Sequence, residues 1–244
     1  MTTKEFSQEF DIKLNSLEGF NAYGLTIGNT IRLNEYEKSI FLTEAQNQLI
    51  KEYYTGKNNY RESFEQNEDL KRSLQSLVNT VTFNHQVAYT TLKGVSKYSQ
   101  FYDLTSQLST NELWYIIYES ATINKRITIV KPITHDDAYS ILRNPLKANY
   151  LERTFRLEFN DDTIELINKY PITEYLIRYI KNPSPIILED FENLTIDGFS
   201  TITECKLHES VHRTILDRAY ILALQSRSIR MGNKQEKSDK DSDK

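Results

Sequence analysis

Phe6, Phe10, Leu14 and Leu17 stand four, four and three positions apart, one apolar stripe that predicts a helix over residues 3–17, ending before Gly19. The stretch from Phe20 to Leu33 mixes polarity around two glycines and reads as loop, with a short strand expected over 26–32. In Thr43-Glu-Ala-Gln46 a hydroxyl is followed three residues later by an amide, a capping-box arrangement. It predicts a helix over 44–55 with Ala45, Leu49 and Tyr53 inward and Gly56 as its stop. Leu70, Leu74, Leu77, Val78 and Val81 give a third helical stripe within 61–81.

From about Tyr98 the period shortens, and β-branched and aromatic residues take over in 113–119, 126–130 and 153–159. In the last of these, Phe155, Leu157 and Phe159 share one face and Thr154, Arg156 and Glu158 the other, which predicts a half-buried antiparallel strand. Further strands are expected at 163–167, 175–180 and, after Asn182-Pro-Ser-Pro185, at 186–188. Thr134 followed by His135-Asp136-Asp137 predicts a capped helix over 135–143, ending before Asn144-Pro145. Leu207, Val211, Ile215, Ala219 and Leu222 mark a last helix reaching Arg230.

These elements predict an α+β fold, a helical bundle built from N- and C-terminal helices that carries a β-rich insertion. The expected divisions are 1–82, the N-terminal helical part; 83–204, the β-rich insertion with its short helix; 205–231, the returning C-terminal helix; and 232–244. That last segment has no apolar residue and alternating charges, and reads as a disordered tail.

Composition narrows the function. The chain has 244 residues, 39% hydrophobic and 26% charged, which suits one large or two modest domains. Its 7 glycines do not cluster, so no glycine-lined phosphate loop is available. With 30 Lys+Arg against 34 Asp+Glu and a net charge of −4, there is no basic field to hold a nucleic-acid backbone sequence-specifically. One cysteine, Cys205, excludes an intrachain disulfide framework and multi-cysteine metal sites, and fits synthesis in a reducing compartment. The N-terminal residues lack a signal-peptide apolar core, and no run approaches the ~18 apolar residues of a membrane span, so neither export by that route nor a membrane partner is expected.

The sharpest chemical motif is His208-Glu209-Ser210-Val211-His212, an H-E-x-x-H match. On a helix, His208 and His212 would share a face and could grip zinc while Glu209 activated a bound water, the machinery of a zinc peptidase. Against this, Lys206 and Arg213 charge flanks that such enzymes bury, and the extended metzincin pattern fails at Ile215 and Arg218. Asp217 falls on another part of the helix, and Glu236 lies in the tail. The favoured reading has Leu207 and Val211 facing the core while His208 and Glu209 decorate the first turn, where an acid complements the helix dipole.

His135-Asp136-Asp137 could supply metal or acid–base groups but is explained by capping. Cys205 and His208 could pair as nucleophile and base, yet no oxyanion loop or orienting group accompanies them. Asp161-Asp162 reads as a turn. No catalytic, metal-binding or cofactor site is assigned, and a non-enzyme is expected.

Four stretches together resemble virion structural proteins of crAss-like tailed bacteriophages, closest to those of the neck. They are Asn34-Glu-Tyr-Glu-Lys-Ser-Ile-Phe-Leu-Thr-Glu-Ala-Gln46; Val130-Lys-Pro-Ile-Thr-His-Asp-Asp137 with Arg143-Asn-Pro145; Arg178-Tyr-Ile-Lys-Asn-Pro-Ser-Pro-Ile-Ile-Leu188; and Glu204-Cys-Lys-Leu-His-Glu-Ser-Val-His-Arg-Thr-Ile-Leu-Asp-Arg-Ala219. The resemblance spans residues 34–224 in order. It implies a ring subunit in the virion connector between portal and tail, a homo-oligomer of about twelve copies whose closure must match the layer beneath. Its implied neighbours are the portal protein and other neck or tail proteins, with genome DNA passing through the ring. It implies no catalytic residues and gives the H-E-x-x-H segment a packing or interface role.

Overall fold

The computed structural model describes residues 1–16, 33–57, 64–84, 86, 94–109, 111–144, 147, 152–160 and 163–226, without the side chains of 16, 159 and 160. The chain divides into two units, one of residues 1–76 with 183–244 and the other of 77–182.

The first unit is built around helix α2 (Glu35–Thr55), opened by a capping box in which Asn34 accepts from Glu37 N and Glu37 reaches back to Asn34 N, and closed by Gly56. Helix α1 (Thr3–Ser16) contributes Phe6, Phe10 and Leu14 to the core; α3 (Glu68–Leu74) contributes Leu70 and Leu74. Helix α5, residues 212–226, contributes Ile215, Leu216, Ala219 and Ala223. Between them lies a non-helical strap, residues 183–206, whose Ile186, Ile187 and Leu188 are buried. A strap inside a core must have its peptide groups satisfied. Polar residues on the buried side of α2 do this: Ser39 Oγ accepts from Leu188 N (3.0 Å), Thr43 Oγ1 from Ile186 N (3.1 Å), and Gln46 Nε2 donates to Ser184 O (3.0 Å).

The second unit holds β1 (Val78–Phe83), β2 (Ser99–Asp103), β3 (Leu113–Ile123), β4 (Arg126–Pro132), α4 (His135–Arg143), β5 (Arg153–Asn160), β6 (Thr163–Ile167) and β7 (Glu174–Lys181). Among the described residues these strands form one seven-stranded sheet in the order β1-β7-β3-β4-β5-β6-β2. All pairs are antiparallel except β4–β5, which run parallel across the α4 crossover, as a parallel pair requires. β7 and β2 are five strand spacings apart in that order, about 24 Å in a flat sheet. Yet the rings of Tyr175 on β7 and Tyr102 on β2 lie 5.4 Å apart, so the sheet curls into a half-barrel. The β6–β7 connection spans the seam: Gln100 on β2 donates to the carbonyls of Asn168 (3.1 Å) and Tyr170 (2.9 Å) and accepts from Ile172 N (2.9 Å).

The curl gives the sheet a lined inner face and an outer face that α4 covers in part. Inside lie Phe83, Tyr102, Ala121, Ile123, Val130, Ile164, Leu166, Tyr175 and Ile177; outside, α4 sets Ala138, Ile141 and Leu142 against Phe155, Leu157 and Ile167. Gly94 approaches β2 so closely that a Cβ there would sit 2.3 Å from Ser99 Cβ and 2.8 Å from Glu165 Oε1.

Several expectations are corrected. The fold is α+β, but a curled seven-stranded sheet dominates it, and it is not a helical bundle carrying an insertion. The core of the helical part includes an irregular strap that a bundle has no place for. The helical stripe expected over 61–81 is in fact α3, a 3-10 turn at Gln75–Leu77 and then strand β1, because Val78 and Val81 serve the sheet through pairing with Ile180 and Ile177. Helix α2 begins at Glu35, nine residues before the expected start at 44, and the Thr43 and Gln46 side chains bind the strap instead of capping. Strand β5 is buried on both faces over Thr154–Leu157, so Thr154 and Arg156 of its polar side are interior, while Glu158 is exposed. Residues 186–188 make only an isolated bridge, Ile187 to Thr203. The strand expected over 26–32, the Asp161-Asp162 turn, helix residues 227–230 and the tail 232–244 lie outside the described residues.

Candidate functional site

The H-E-x-x-H segment does not form one helical face. His208 is extended (φ −61°, ψ 144°) and acts as N-cap of a 3-10 turn, Glu209–Val211, its Nδ1 accepting from Ser210 N at 3.2 Å. His212 follows on the buried side. Its Nε2 lies 2.9 Å from Leu207 O and must donate, since a carbonyl only accepts; its Nδ1, 2.7 Å from the Met1 amino group, then accepts. Burial, outweighing the Leu207 bond, holds the His212 pKa below its ordinary value and favours the neutral ring. Both of its nitrogens are engaged, while His208 is exposed. Among the described residues no three His, Cys, Asp or Glu side chains converge as a metal site.

Cys205 Sγ donates to Gln46 Oε1 at 3.4 Å, and burial pushes the thiol up to about 11, against reactivity as a thiolate. Thr134 caps α4, its Oγ1 accepting from Asp137 N at 3.3 Å, and His135 Nε2 lies 2.9 Å from Glu158 O.

The unusual chemistry lies inside the curled sheet, where the residue pattern alone did not point. Arg156 Nε is 2.9 Å from Glu119 Oε1, and Arg156 Nη1 donates to Glu158 Oε1 at 2.8 Å. The Nε contact is an ion pair without hydrogen-bond alignment; Arg156 Nε, Glu119 Oε2 and Tyr175 Oη are buried with no hydrogen-bond partner. Burial raises Glu119 to about 7 despite Arg156, and pushes Tyr175 well above the usual phenol range. Beside them Thr128, Thr154 and Asn168 form a satisfied chain: Thr128 Oγ1 lies 3.0 Å from Thr154 Oγ1, which Asn168 Nδ2 also reaches at 3.0 Å. An open cleft of about 550 Å³ reaches Arg156 and Glu158 from the α4 side, between Lys131, His135 and Asp137. The only signal in the residues was Glu119, the one charge in the otherwise apolar and aromatic segment 113–119; Arg156 sat unremarked in an alternating polar face with Thr154 and Glu158.

This arrangement offers a buried proton site near neutrality, but among the described residues no nucleophile stands beside it with a general base and oxyanion donors, so these residues do not compose a catalytic constellation. No described helix is long and apolar enough to cross a membrane.

Residues 1–235 match the family described as phage tail ring protein 3/4. The chain is similar to ring protein 3 of Bacteroides phage crAss001, 42% identical over 245 residues covering 96% of this chain and 100% of that protein. It is also similar to ring protein 4/5 of the same phage, 30% identical over 235 residues covering 91% of this chain and 92% of that one.

Proposed function

The chain belongs to the phage tail ring protein 3/4 family, and from that premise we propose that it is a subunit of the connector ring that joins portal to tail in the virion neck. It is a structural ring protein of a phage virion. The observation that carries the finer reading is that likeness to a ring protein runs through 96% of this chain.

In this reading about twelve copies close around the DNA channel, since a cyclic layer must match the symmetry of the layer it stacks on. The protein works by shape and contact, without catalysis. The net charge of −4 per chain suits a ring through which DNA slides, because a strongly basic wall would retain phosphates. The same charge repels free copies, favouring a monomer or small oligomer until the layer beneath supplies a template.

Quantitative mass spectrometry of purified virions tests the proposal. The expected result is this chain at a copy number equal to, or a small multiple of, the portal protein. Absence from virions, or one or two copies per particle, would overturn it.

A further inference from the structure

Helix α4 covers only part of the sheet's outer face. On β4, Ile127 is 74% and Ile129 64% exposed, and Tyr118 on β3 is 45% exposed. The three share a face, because Ile129 pairs with Ser120 and Ile127 with Thr122, two and four residues beyond Tyr118. Exposed bases surround this strip: Lys125 and Arg126 in and after the β3–β4 turn, Lys131 further along β4, Arg153 opposite Ile129, and Arg178 opposite Tyr118. The acids nearby are Glu152, next to Arg153; Glu174, opposite Thr122 and accepting from its hydroxyl; and Asp137 and Glu158, which line a cleft with Lys131.

The strap carries the counterpart. Leu194, Phe199 and Ile202 are 45–50% exposed around a two-residue hairpin tip, Asp197-Gly198, closed by hydrogen bonds of 2.9 Å in both directions between Ile196 and Phe199. Asp197 and Gly198 both have positive φ (50° and 84°), the conformation of a tight primed turn, which holds the tip in one shape. Glu189, Asp190, Glu192, Asp197 and Glu204 are exposed, and no Lys or Arg occurs from Pro183 to Cys205. Asp190 is already committed to Ile202 N.

We propose that the Leu194/Phe199/Ile202 tip of one copy seats on the Ile127/Ile129/Tyr118 face of the next copy, with the acidic strap residues against Lys131 and Arg153. An apolar centre with a charged rim is the anatomy of a specific protein interface. The opposite signs of the two rims select a second copy of this chain in head-to-tail orientation. Face-to-face contact would oppose bases to bases, and tip-to-tip contact acids to acids. Such a heterologous contact propagates and can close into a ring, where a two-fold contact stops at a dimer. The inference rests on the ring reading above and adds the surfaces that make it.

The test uses the full-length chain with Cys205→Ser, which keeps a donor towards Gln46. Ile129→Cys and Phe199→Cys are introduced separately, checked for folding by circular dichroism, and oxidised alone or mixed. A covalent dimer should form only in the mixture, and the chain carrying both cysteines should give a ladder of multimers in purified virions. Lys131→Glu with Arg153→Glu should cut the mixed dimer about tenfold, and Glu189→Lys with Glu192→Lys on the other partner should restore it. A dimer from either variant alone, or cross-linking of the sheet face to a different virion protein, would overturn the proposal. So would a missing ladder in virions that hold the chain at ring copy number, which leaves the ring reading standing; absence of the unaltered chain from virions removes both.

Discussion

Each unit buries a cation, and the two behave differently. Lys38 in the helical unit has a side chain only 2% exposed, but its carboxylate partners Asp11 and Glu35, at 2.8 Å each, are 47% and 29% exposed. Burial alone would lower its pKa, yet the hydrogen bonds and charges of Asp11 and Glu35 outweigh that and leave it raised. In the sheet unit Arg156 pairs with the exposed Glu158 through Nη1, but through Nε it faces Glu119, and the Arg156 and Glu119 side chains are at most 10% exposed. There the acid is desolvated along with its partner, and Glu119 rises to about 7. A buried cation whose acids reach water keeps its pair charged; a pair buried together places a proton site near neutrality.

The largest effect should come from breaking the interior pair. Arg156→Met is expected to destabilise the sheet unit by about 3–5 kcal/mol above pH 8, where Glu119 is ionised, and by much less at pH 5. Adding Glu119→Gln should recover most of the loss. Urea denaturation of the unaltered chain and both variants at both pH values checks this, and an equal loss at pH 5 and 8 would mean packing, not charge, is at stake.

Ile215→Ala should cost the helical unit ~2–5 kcal/mol, since Ile215 is fully buried on α5. An unchanged melting curve would show that α5 is not part of that core.

The two units should also respond oppositely to pH. Glu119 has a folded pKa raised to about 7, so its contribution is fully present below about 4.5 and lost as pH rises through 7, an effect on the order of 3 kcal/mol. His212 has a folded pKa lowered below 6.5, so its contribution is present above that value and lost as pH falls. Hydrogen exchange at pH 5 and pH 8, corrected for intrinsic rates, should show β3 and β7 better protected at the lower pH and α5 at the higher. Parallel shifts in both units would contradict the assignment.

Smaller changes sharpen the contrast. Lys38→Met should cost only about 1 kcal/mol, because Asp11 and Glu35 rehydrate where Glu119 cannot. Glu209→Gln should cost ~0.3–1 kcal/mol, the worth of an acid at a helix N-terminus, and leave particle assembly intact. A larger loss in either would give that residue a role the structure does not show.

What the residue pattern revealed follows from the range of the interactions. β6 and α4 lie where alternation and capping put them, and β3, β4 and β7 extend those expectations by a few residues, because each has its own periodicity and punctuation. β1 was hidden because Leu70, Leu74, Leu77 and Val81 keep helical spacing across a helix-to-strand junction. What makes 78–83 a strand is pairing with β7, nearly a hundred residues away. Thr43 and Gln46 imitate a cap but are consumed by a strap some 140 residues later. Arg156 looked solvated because alternation tells two faces apart without saying which is water. Only the curl, fixed by Tyr102 meeting Tyr175, turns Thr154 and Arg156 inward. The H-E-x-x-H pattern failed for a local reason: its helix begins at His212 and not at His208.

The central claim is that this chain acts as one subunit of a closed ring. Cryo-EM of the intact virion, refined without imposed symmetry at the neck, tests it most directly. The account predicts copies of this chain repeating around the tail axis, about twelve in a closed layer between portal and tail. Density that places the chain as a two-fold dimer away from that axis, or a complete neck into which it cannot be built, would contradict it.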